Sequence, residues 1–172
     1  MEARPPLRTI PDFPRDGINF IDITPWVQDG AAFRAAIEEL AAFARPLGID
    51  IVAAPEARGF LVGAPLAVAL GVGFAPVRKP GRLPYDTIRA DYELEYGEAS
   101  LEIHVDAVKP GQRVLVVDDL LATGGTVAAT IGLMERQGGK VQGLGFLVEL
   151  EFLSGRDRLP QLPIHSVVRL AE

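Results

Sequence analysis

The sequence of 172 residues predicts an α/β fold, in which a mostly parallel, twisted sheet is flanked by helices. Short apolar runs recur along the chain, as is typical of strands that are buried on both faces. Each run is followed by a polar or glycine-containing loop and then by a segment with helical periodicity. Because ligands of such folds bind beyond the carboxyl ends of the strands, we expect the functional residues in these loops.

Composition indicates one domain over residues 1–172, because 48% of the chain is hydrophobic and no linker, repeat or low-complexity tract divides it. The net charge of −6 gives no overall bias toward nucleic acid. The absence of cysteine excludes disulfides and thiolate metal sites. The proline-rich N-terminal segment has no signal-peptide core, and no apolar run approaches the length of a membrane helix. We therefore expect a cytoplasmic protein with neither membrane nor nucleic-acid partners.

The segment over about 7–30 is predicted to form a small N-terminal hood. It is irregular and rich in proline, yet it carries too much apolar surface for a free tail, namely Ile10, Phe13, Ile18 and Phe20. A turn at Asp29–Gly30 then leads into a predicted helix over about 31–45, which Pro46 and Gly48 end.

The next two strand–loop–helix units carry cationic loops. Residues 49–54 predict a buried strand, and the loop after it contains Arg58 and leads into a helix that ends near Leu70. Residues 71–77 predict another strand, which is followed by Arg78, Lys79 and Arg82. Three cations at one strand end indicate an anion site, although a solvated basic loop is the commoner explanation of such a cluster when it stands alone.

Residues 91–105 alternate between apolar and acidic side chains, which predicts a hairpin with Glu95 and Tyr96 at its tip. A helix over 127–137, a strand over 141–149 and a last strand over 164–170 complete the predicted elements. His104 and His165 have no serine, cysteine or second histidine at the spacing of a triad or a metal site, so both are interpreted as structural.

The stretch 114–126, V-L-V-V-D-D-L-L-A-T-G-G-T, carries the strongest functional signal. Its apolar run 114–117 predicts a buried strand, and Asp118 and Asp119 are placed where that strand would end. The small and hydroxyl residues over 122–126 then lead into a helix. Glycines let a ligand approach the main chain, and the free N–H groups of a helix N-terminus favour an anion, so this turn predicts a phosphate site.

The two aspartates narrow the ligand further. Carboxylates beside a phosphate repel it unless they accept hydrogen bonds from hydroxyl groups, which a sugar diol supplies. We therefore predict a ribose 5-phosphate with its hydroxyls on Asp118 and Asp119. The spacing matches neither the Gly-Lys-Ser/Thr loop of nucleoside triphosphatases nor the G-x-G-x-x-G of dinucleotide folds. The alternative is a capped helix whose preceding strand happens to end in two aspartates.

This stretch resembles the phosphoribosyl pyrophosphate motif of type I phosphoribosyltransferases, in the form found in members that act on adenine. Four further segments are similar to those members and occur in the same order, at positions 10–14 (I-P-D-F-P), 56–60 (E-A-R-G-F), 76–81 (P-V-R-K-P-G) and 94–97 (L-E-Y-G). The resemblance covers about 7–159. It implies the type I phosphoribosyltransferase fold, with the small N-terminal hood, and the conversion of adenine and phosphoribosyl pyrophosphate to AMP and pyrophosphate in purine salvage.

The resemblance also implies where the sugar phosphates bind. The ribose hydroxyls lie on Asp118 and Asp119. The 5-phosphate lies on the turn, which consists of Ala122, Thr123, Gly124, Gly125 and Thr126. The pyrophosphate is held by four cationic side chains, Arg58, Arg78, Lys79 and Arg82. Mg²⁺ is expected to be bound mainly through phosphoribosyl pyrophosphate, so no protein metal ligand is predicted.

The hood and the hairpin are implied to surround the base. Four residues are expected to contact adenine, with Phe20 stacking on it: Asn19, Phe20, Ile21 and Leu150. Glu95 and Tyr96 are the expected catalytic residues, on a mobile hairpin over about 83–105 that closes the site. Relatives also place a non-proline cis peptide in the loop at Ala57–Arg58, and they are homodimers. Ile21 departs from the pattern, since many relatives carry Arg or Lys there.

Two other functions remain open from the sequence. The same fold supports transfer to hypoxanthine, guanine or xanthine. It also supports a regulator that binds the sugar phosphate without turnover. Retention of Glu95 and Tyr96 and the lack of a basic face for nucleic acid argue against the regulator.

Overall fold

The computed structural model describes residues 7–94 and 97–171. In chain order, the strands of this described part are β1 (Arg8–Ile10), β2 (Phe20–Asp22), β3 (Ile51–Pro55), β4 (Gly73–Val77), β5 (Thr87–Leu94), β6 (Gly97–His104), β7 (Arg113–Leu121), β8 (Lys140–Leu150) and β9 (Ile164–Leu170). The α-helices are α1 (Thr24–Gln28), α2 (Gly30–Ala44), α3 (Arg58–Leu70) and α4 (Gly125–Arg136). Short 3₁₀ helices are formed by Arg45–Leu47, Glu151–Leu153 and Gly155–Arg158.

Strands β4, β3, β7, β8 and β9, in that spatial order, form one parallel sheet with helices on both faces. Alternate residues of β7 point to opposite faces, as the pleat of a strand requires. Val114 and Val116 pack with α4, whereas Leu115 and Val117 pack with α2 and α3. All four side chains are fully buried. The predicted parallel α/β fold is confirmed.

β7 continues further than its apolar run, which is a correction to the predicted strand over 114–117. The strand includes Asp118 and Asp119 and ends at Leu121. Its last residues remain paired because Leu120 and Leu121 lie opposite Val148 and Glu149 of β8. Both aspartates therefore belong to the carboxyl end of the central strand, where pairing with β8 constrains the main chain more than a loop would.

The N-terminal segment forms a two-stranded antiparallel ribbon, in which β1 pairs with β2. Arg8 donates hydrogen bonds of 2.9 and 2.6 Å to Asp22. Hydrogen bonds from Thr24, together with those from Arg8, lower the pKa of Asp22 to about 2. The Arg8–Asp22 ion pair thus joins the two strands of the ribbon, and the hydrogen bond from the Thr24 N–H links Asp22 to the first residue of α1.

Helix α1 was not predicted, because five residues are too short to display a helical period. Its first turn contains Pro25, which suits that position. Trp26 is 2% exposed, and its Nε1 donates to the carbonyl oxygen of Ala32, 3.2 Å away. Asp29 then caps α2 by accepting from two main-chain N–H groups. The helix over about 31–45 is confirmed, with α2 beginning one residue earlier.

β5 and β6 pair as an antiparallel hairpin that starts at Thr87, earlier than the predicted start at position 91. Gly97 pairs with Leu94, and the predicted tip residues Glu95 and Tyr96 lie outside the described residues. The hairpin base is joined to the end of α4 by Gln137. This side chain donates to the carbonyl oxygen of His104 over 2.6 Å and accepts from the N–H of Val108 over 2.9 Å.

Candidate active site

The carboxyl end of β7 and the start of α4 enclose a cavity of about 190 Å³. It is lined by three charged side chains and by the glycine-rich turn with its flanks: Arg58, Asp118, Asp119, Leu120, Ala122, Thr123, Gly124, Gly125, Thr126 and Val127. Both predicted aspartates and all five predicted phosphate-site residues therefore lie around one space. Of the four predicted pyrophosphate residues, Arg58 alone lines this cavity.

The turn over 122–126, called the phosphate loop below, has the geometry of an anion site. Gly124 adopts a left-handed conformation with φ of 84°, a region that only glycine occupies easily, and α4 begins at the next residue. Gly124 is the N-cap of α4 and provides no side chain to cap its N–H groups. The first N–H groups of a helix have no partner within it, and the helix dipole favours negative charge there.

Asp118 and Asp119 differ in their surroundings. Asp118 is half-buried and its Oδ1 accepts from the N–H of Asp119, 2.8 Å away. Burial, and then the charge of Asp119, raise the pKa of Asp118 well above its ordinary value. Asp119 is 4% exposed, and among the described residues its Oδ2 finds no hydrogen-bond donor. A buried carboxylate oxygen without a donor is costly, so this atom favours a ligand that supplies one.

Arg58 connects the acidic pair to the hood. Its Nε lies 3.0 Å from Asp119 Oδ2, an ionic contact without hydrogen-bond alignment. Its guanidinium carbon lies 4.9 Å from the centroid of the Phe20 ring, at the distance of a cation–π contact. Phe13 meets the same ring edge-on at a centroid distance of 5.2 Å. Phe20, the predicted stacking residue, therefore lies beside Arg58, which lines this cavity.

Gly59, the residue after Arg58, lets the first turn of α3 approach Asp118. A methyl group at this position would lie 2.9 Å from Asp118 Oδ1, closer than real side chains pack. The peptide bond between Glu56 and Ala57 is cis, so the non-proline cis peptide expected in the loop at Ala57–Arg58 is present.

The other three predicted pyrophosphate residues lie at the end of β4. Arg78 Nε is 3.2 Å from Glu56 Oε1, and the same oxygen accepts from the Lys79 N–H over 2.7 Å. Although burial alone would raise it, these hydrogen bonds lower the pKa of Glu56. Arg78 also donates to the carbonyl oxygen of Arg82, whose side chain is exposed. The Arg78 side chain is thus bound by Glu56 and by the main chain of Arg82. Lys79 lines a second cavity.

A second cavity, of about 440 Å³, adjoins the first at Thr126 and is lined by residues of the hairpin and of the loop after β4. Lys79 and Glu56 line it on one side and Tyr92 on the other. The hydroxyl groups of Tyr92 and Thr126 lie 3.3 Å apart and form a hydrogen bond between the hairpin and the phosphate loop. Sequence reasoning did not select Glu56 or Tyr92 as site residues. Glu56 directly follows β3, so the strand-end rule that selected the aspartates would also have found it.

The predicted adenine residues are spread over two regions. Asn19 is exposed, and Phe20 and Ile21 are partly buried in the hood strand β2. Leu150 is 7% exposed and packs in the core cluster that also contains Ile23. None of these predicted residues lines either of the two cavities described above. Ile21, at the position where many relatives were expected to carry Arg or Lys, also packs against this core.

Comparison with known proteins identifies the fold and the family. The family model for the phosphoribosyl transferase domain matches residues 27–158. The adenine phosphoribosyltransferase of Brevibacillus brevis is 55% identical over 169 residues, which cover 98% of this chain and 99% of that protein. This chain belongs to the adenine phosphoribosyltransferase family.

Two solved structures of the family have the same fold. The adenine phosphoribosyltransferase of Thermoanaerobacter pseudethanolicus superposes with a TM-score of 0.93 at 57% identity, covering 95% of each chain. That of Saccharomyces cerevisiae, solved with an imino-altritol bisphosphate and adenine, gives a TM-score of 0.87 at 39% identity over 94% of this chain and 93% of that one. The resemblance, the fold class and the function as a phosphoribosyltransferase are confirmed.

Proposed function

We propose that this enzyme transfers the 5-phosphoribosyl group of phosphoribosyl pyrophosphate to adenine and releases AMP and pyrophosphate, as a step of purine salvage. The observation that carries the proposal is the single cavity in which Asp118 and Asp119 adjoin the N-terminus of α4. This combination fits a phosphorylated sugar diol. The adenine named with the Saccharomyces cerevisiae relative supports the base.

In this proposal the 5-phosphate binds the phosphate loop, and the ribose hydroxyls donate to Asp118 and Asp119. A ribose hydroxyl would supply the donor that the buried Oδ2 of Asp119 does not receive from the described residues. The pair also lies where positive charge develops on the ribose as the bond from C1 to pyrophosphate breaks. Carboxyl oxygens held at that place stabilise the positive charge of the transition state.

The pyrophosphate is assigned to the four predicted cations. Arg58 lines the first cavity and Lys79 the second, whereas Arg78 and Arg82 lie at the end of β4 and line neither cavity. Mg²⁺ neutralises charge on the leaving group when it is bound. Among residues 7–94 and 97–171, no three His, Asp or Glu side chains are grouped to hold a metal ion. We assign the ion to substrate oxygens, with Asp118 and Asp119 acting through water, because a hard dication prefers such oxygen ligands.

The hood and the hairpin are assigned to the base and to the proton. Phe20 stacks on adenine, main-chain groups at Asn19 and Ile21 read its edge, and Leu150 borders the pocket from the core. Glu95 hydrogen-bonds to the purine near N7, so that N9 acts as the nucleophile, and Tyr96 assists closure. Closure of the hairpin excludes water from the reacting sugar. The hydrogen bond between Tyr92 and Thr126 supports this placement of the hairpin against the site.

We assign the active form to a homodimer in the cytoplasm. Leu61 and Val68 are 43% and 82% exposed, and they lie on one face of α3 because seven residues span two helical turns. A second copy would cover this apolar face. Light scattering after size exclusion tests the assignment, and Val68→Glu is expected to yield monomers. Among the described residues no helix is long and apolar enough to span a membrane.

The deciding experiment is a turnover assay with Mg²⁺ and phosphoribosyl pyrophosphate, in which adenine, hypoxanthine, guanine and xanthine are offered separately. Nucleotide and pyrophosphate are quantified together. The proposal requires AMP formation from adenine far above turnover with the other bases. A different preferred base would show that the hood is wrongly assigned at Ile21, and absence of turnover with every base would overturn the enzymatic proposal.

A further inference from the structure

The 3₁₀ helix Gly155–Arg158 packs against the phosphate loop. A methyl group at Gly124 would lie 2.5 Å from the Gly155 carbonyl oxygen, and a methyl group at Gly155 would overlap the Ala122 carbonyl oxygen. Gly155 itself is buried. The main chains of the two segments therefore touch directly, without a side chain or a water layer between them.

One ion pair fastens this 3₁₀ helix to the sheet. Arg156 donates two hydrogen bonds of 2.6 Å each to the two carboxylate oxygens of Glu149. Glu149 is 3% exposed and also accepts from the Ser166 hydroxyl over 2.7 Å, while Arg169 lies 3.7 Å away. The hydrogen bonds from Arg156, the strongest influence, lower the pKa of Glu149, so it is ionised at neutral pH. A bidentate pair fixes both the position and the orientation of the arginine.

The same glutamate is tied to the strand that carries the acidic pair. Glu149 of β8 lies opposite Leu121, the last residue of β7, just before the phosphate loop begins. The phosphate loop therefore follows β7 and packs against Gly155. Glu149 contacts both neighbours of the loop, since its main chain lies beside the end of β7 and its side chain binds Arg156.

We propose that Glu149 and Arg156 are positioning residues for phosphoribosyl pyrophosphate, because their ion pair fixes the position of Gly155 against the main chain of the phosphate loop. The inference rests on the assignment of the 5-phosphate to that loop. Neither side chain lines the first cavity, which the phosphate loop borders, so both act through the main chain of residues 122–124. Loss of the pair lets the loop N–H groups move, which weakens the phosphate contact and leaves the adenine contacts in place.

The test compares Glu149→Gln and Arg156→Lys with Asp50→Asn in the full-length enzyme with Mg²⁺. Asp50 forms a similar bidentate pair with Arg113, at 2.9 and 3.0 Å. Arg113 is the first residue of β7, eight residues before Leu121, so the control pair lies about 26 Å from the loop along the strand. Asp50→Asn thus removes a bidentate ion pair, with a more exposed carboxylate, at the far end of the same strand.

We expect Glu149→Gln to raise KM for phosphoribosyl pyrophosphate about tenfold, since misplacement of a binding group by an ångström has effects of this order or larger. Arg156→Lys, which keeps the charge but not the bidentate geometry, should raise it less. The inhibition constant of ribose 5-phosphate should rise in parallel. KM for adenine and kcat should stay within about twofold, and Asp50→Asn should leave all four constants unchanged.

The inference is overturned if both variants bind phosphoribosyl pyrophosphate and ribose 5-phosphate as Asp50→Asn does. If Glu149→Gln does not fold, Arg156→Lys decides alone. Thr126→Val, which removes a hydroxyl from the loop itself, separates the inference from its premise. If it weakens ribose 5-phosphate binding while the other two variants do not, the phosphate site stands and the positioning role is wrong. If it too has no effect, the phosphate site is wrong as well.

Discussion

Gly124→Ala is the substitution for which the structure gives the sharpest expectation. An alanine at φ of 84° is held in a left-handed conformation that costs about 1–2 kcal/mol. Its methyl group would also lie 2.5 Å from the Gly155 carbonyl oxygen, whereas ordinary contact begins near 3.4 Å. Relief of this overlap requires a shift of almost an ångström, and overpacking of this kind costs about 1–3 kcal/mol more.

Gly111→Ala is the matched control, because Gly111 also has φ of 84° but a methyl group there would meet no atom within 4 Å. The difference between the two variants isolates the contact with Gly155. For a chain of this length 1 kcal/mol corresponds to about 2–4 °C. Gly124→Ala should therefore melt about 2–12 °C below Gly111→Ala, as measured by circular dichroism at pH 7.

The same pair of variants tests the phosphate loop as a binding element. A shift of about an ångström in a positioning group can lower kcat/KM about 100-fold, so Gly124→Ala should lose about that factor for phosphoribosyl pyrophosphate. Gly111→Ala should remain within about twofold of the parent enzyme. Equal melting temperatures for the two variants would refute the packing argument. Unchanged kcat/KM in Gly124→Ala would refute the role of the loop.

Three further outcomes are expected. Asp118→Asn combined with Asp119→Asn should lower kcat/KM by roughly 10²–10⁴, from the loss of two charged hydrogen bonds. The melting temperature should change by less than about 4 °C, and parallel losses would mark a structural pair. Glu95→Ala should lower kcat by roughly 10²–10⁴ at an unchanged melting temperature, and an unchanged kcat would remove Glu95 from the mechanism. Asp22→Asn should lower the melting temperature at pH 7. Since the pKa of Asp22 falls from 3.8 to about 2 on folding, the stabilisation is complete above pH 3.8 and lost as the pH falls through 2. A melting difference as large at pH 2 as at pH 7 would contradict this origin.

Local patterns were sufficient for most of the sheet and for the glycine turn before α4. The strand over 164–170 was predicted with the bounds that the structure gives, although it is a partly exposed edge strand in which His165, Ser166 and Arg169 interrupt the apolar residues. The phosphate loop was equally predictable, since its glycines, its hydroxyls and the helix after it are neighbours in the chain. The short helix α1 escaped because five residues do not reveal a period.

The sequence by itself determined the fold class, the acidic pair and the glycine turn, because each depends on residues that are adjacent or regularly spaced. Only the tertiary structure decided which charges meet. Arg58 lies 3.0 Å from Asp119 and Arg78 lies 3.2 Å from Glu56, although both arginines follow strand ends in the sequence. The contact of Gly155 with the phosphate loop likewise joins segments about thirty residues apart. Such pairings follow from the order and register of parallel strands, which long crossovers set and no local pattern encodes.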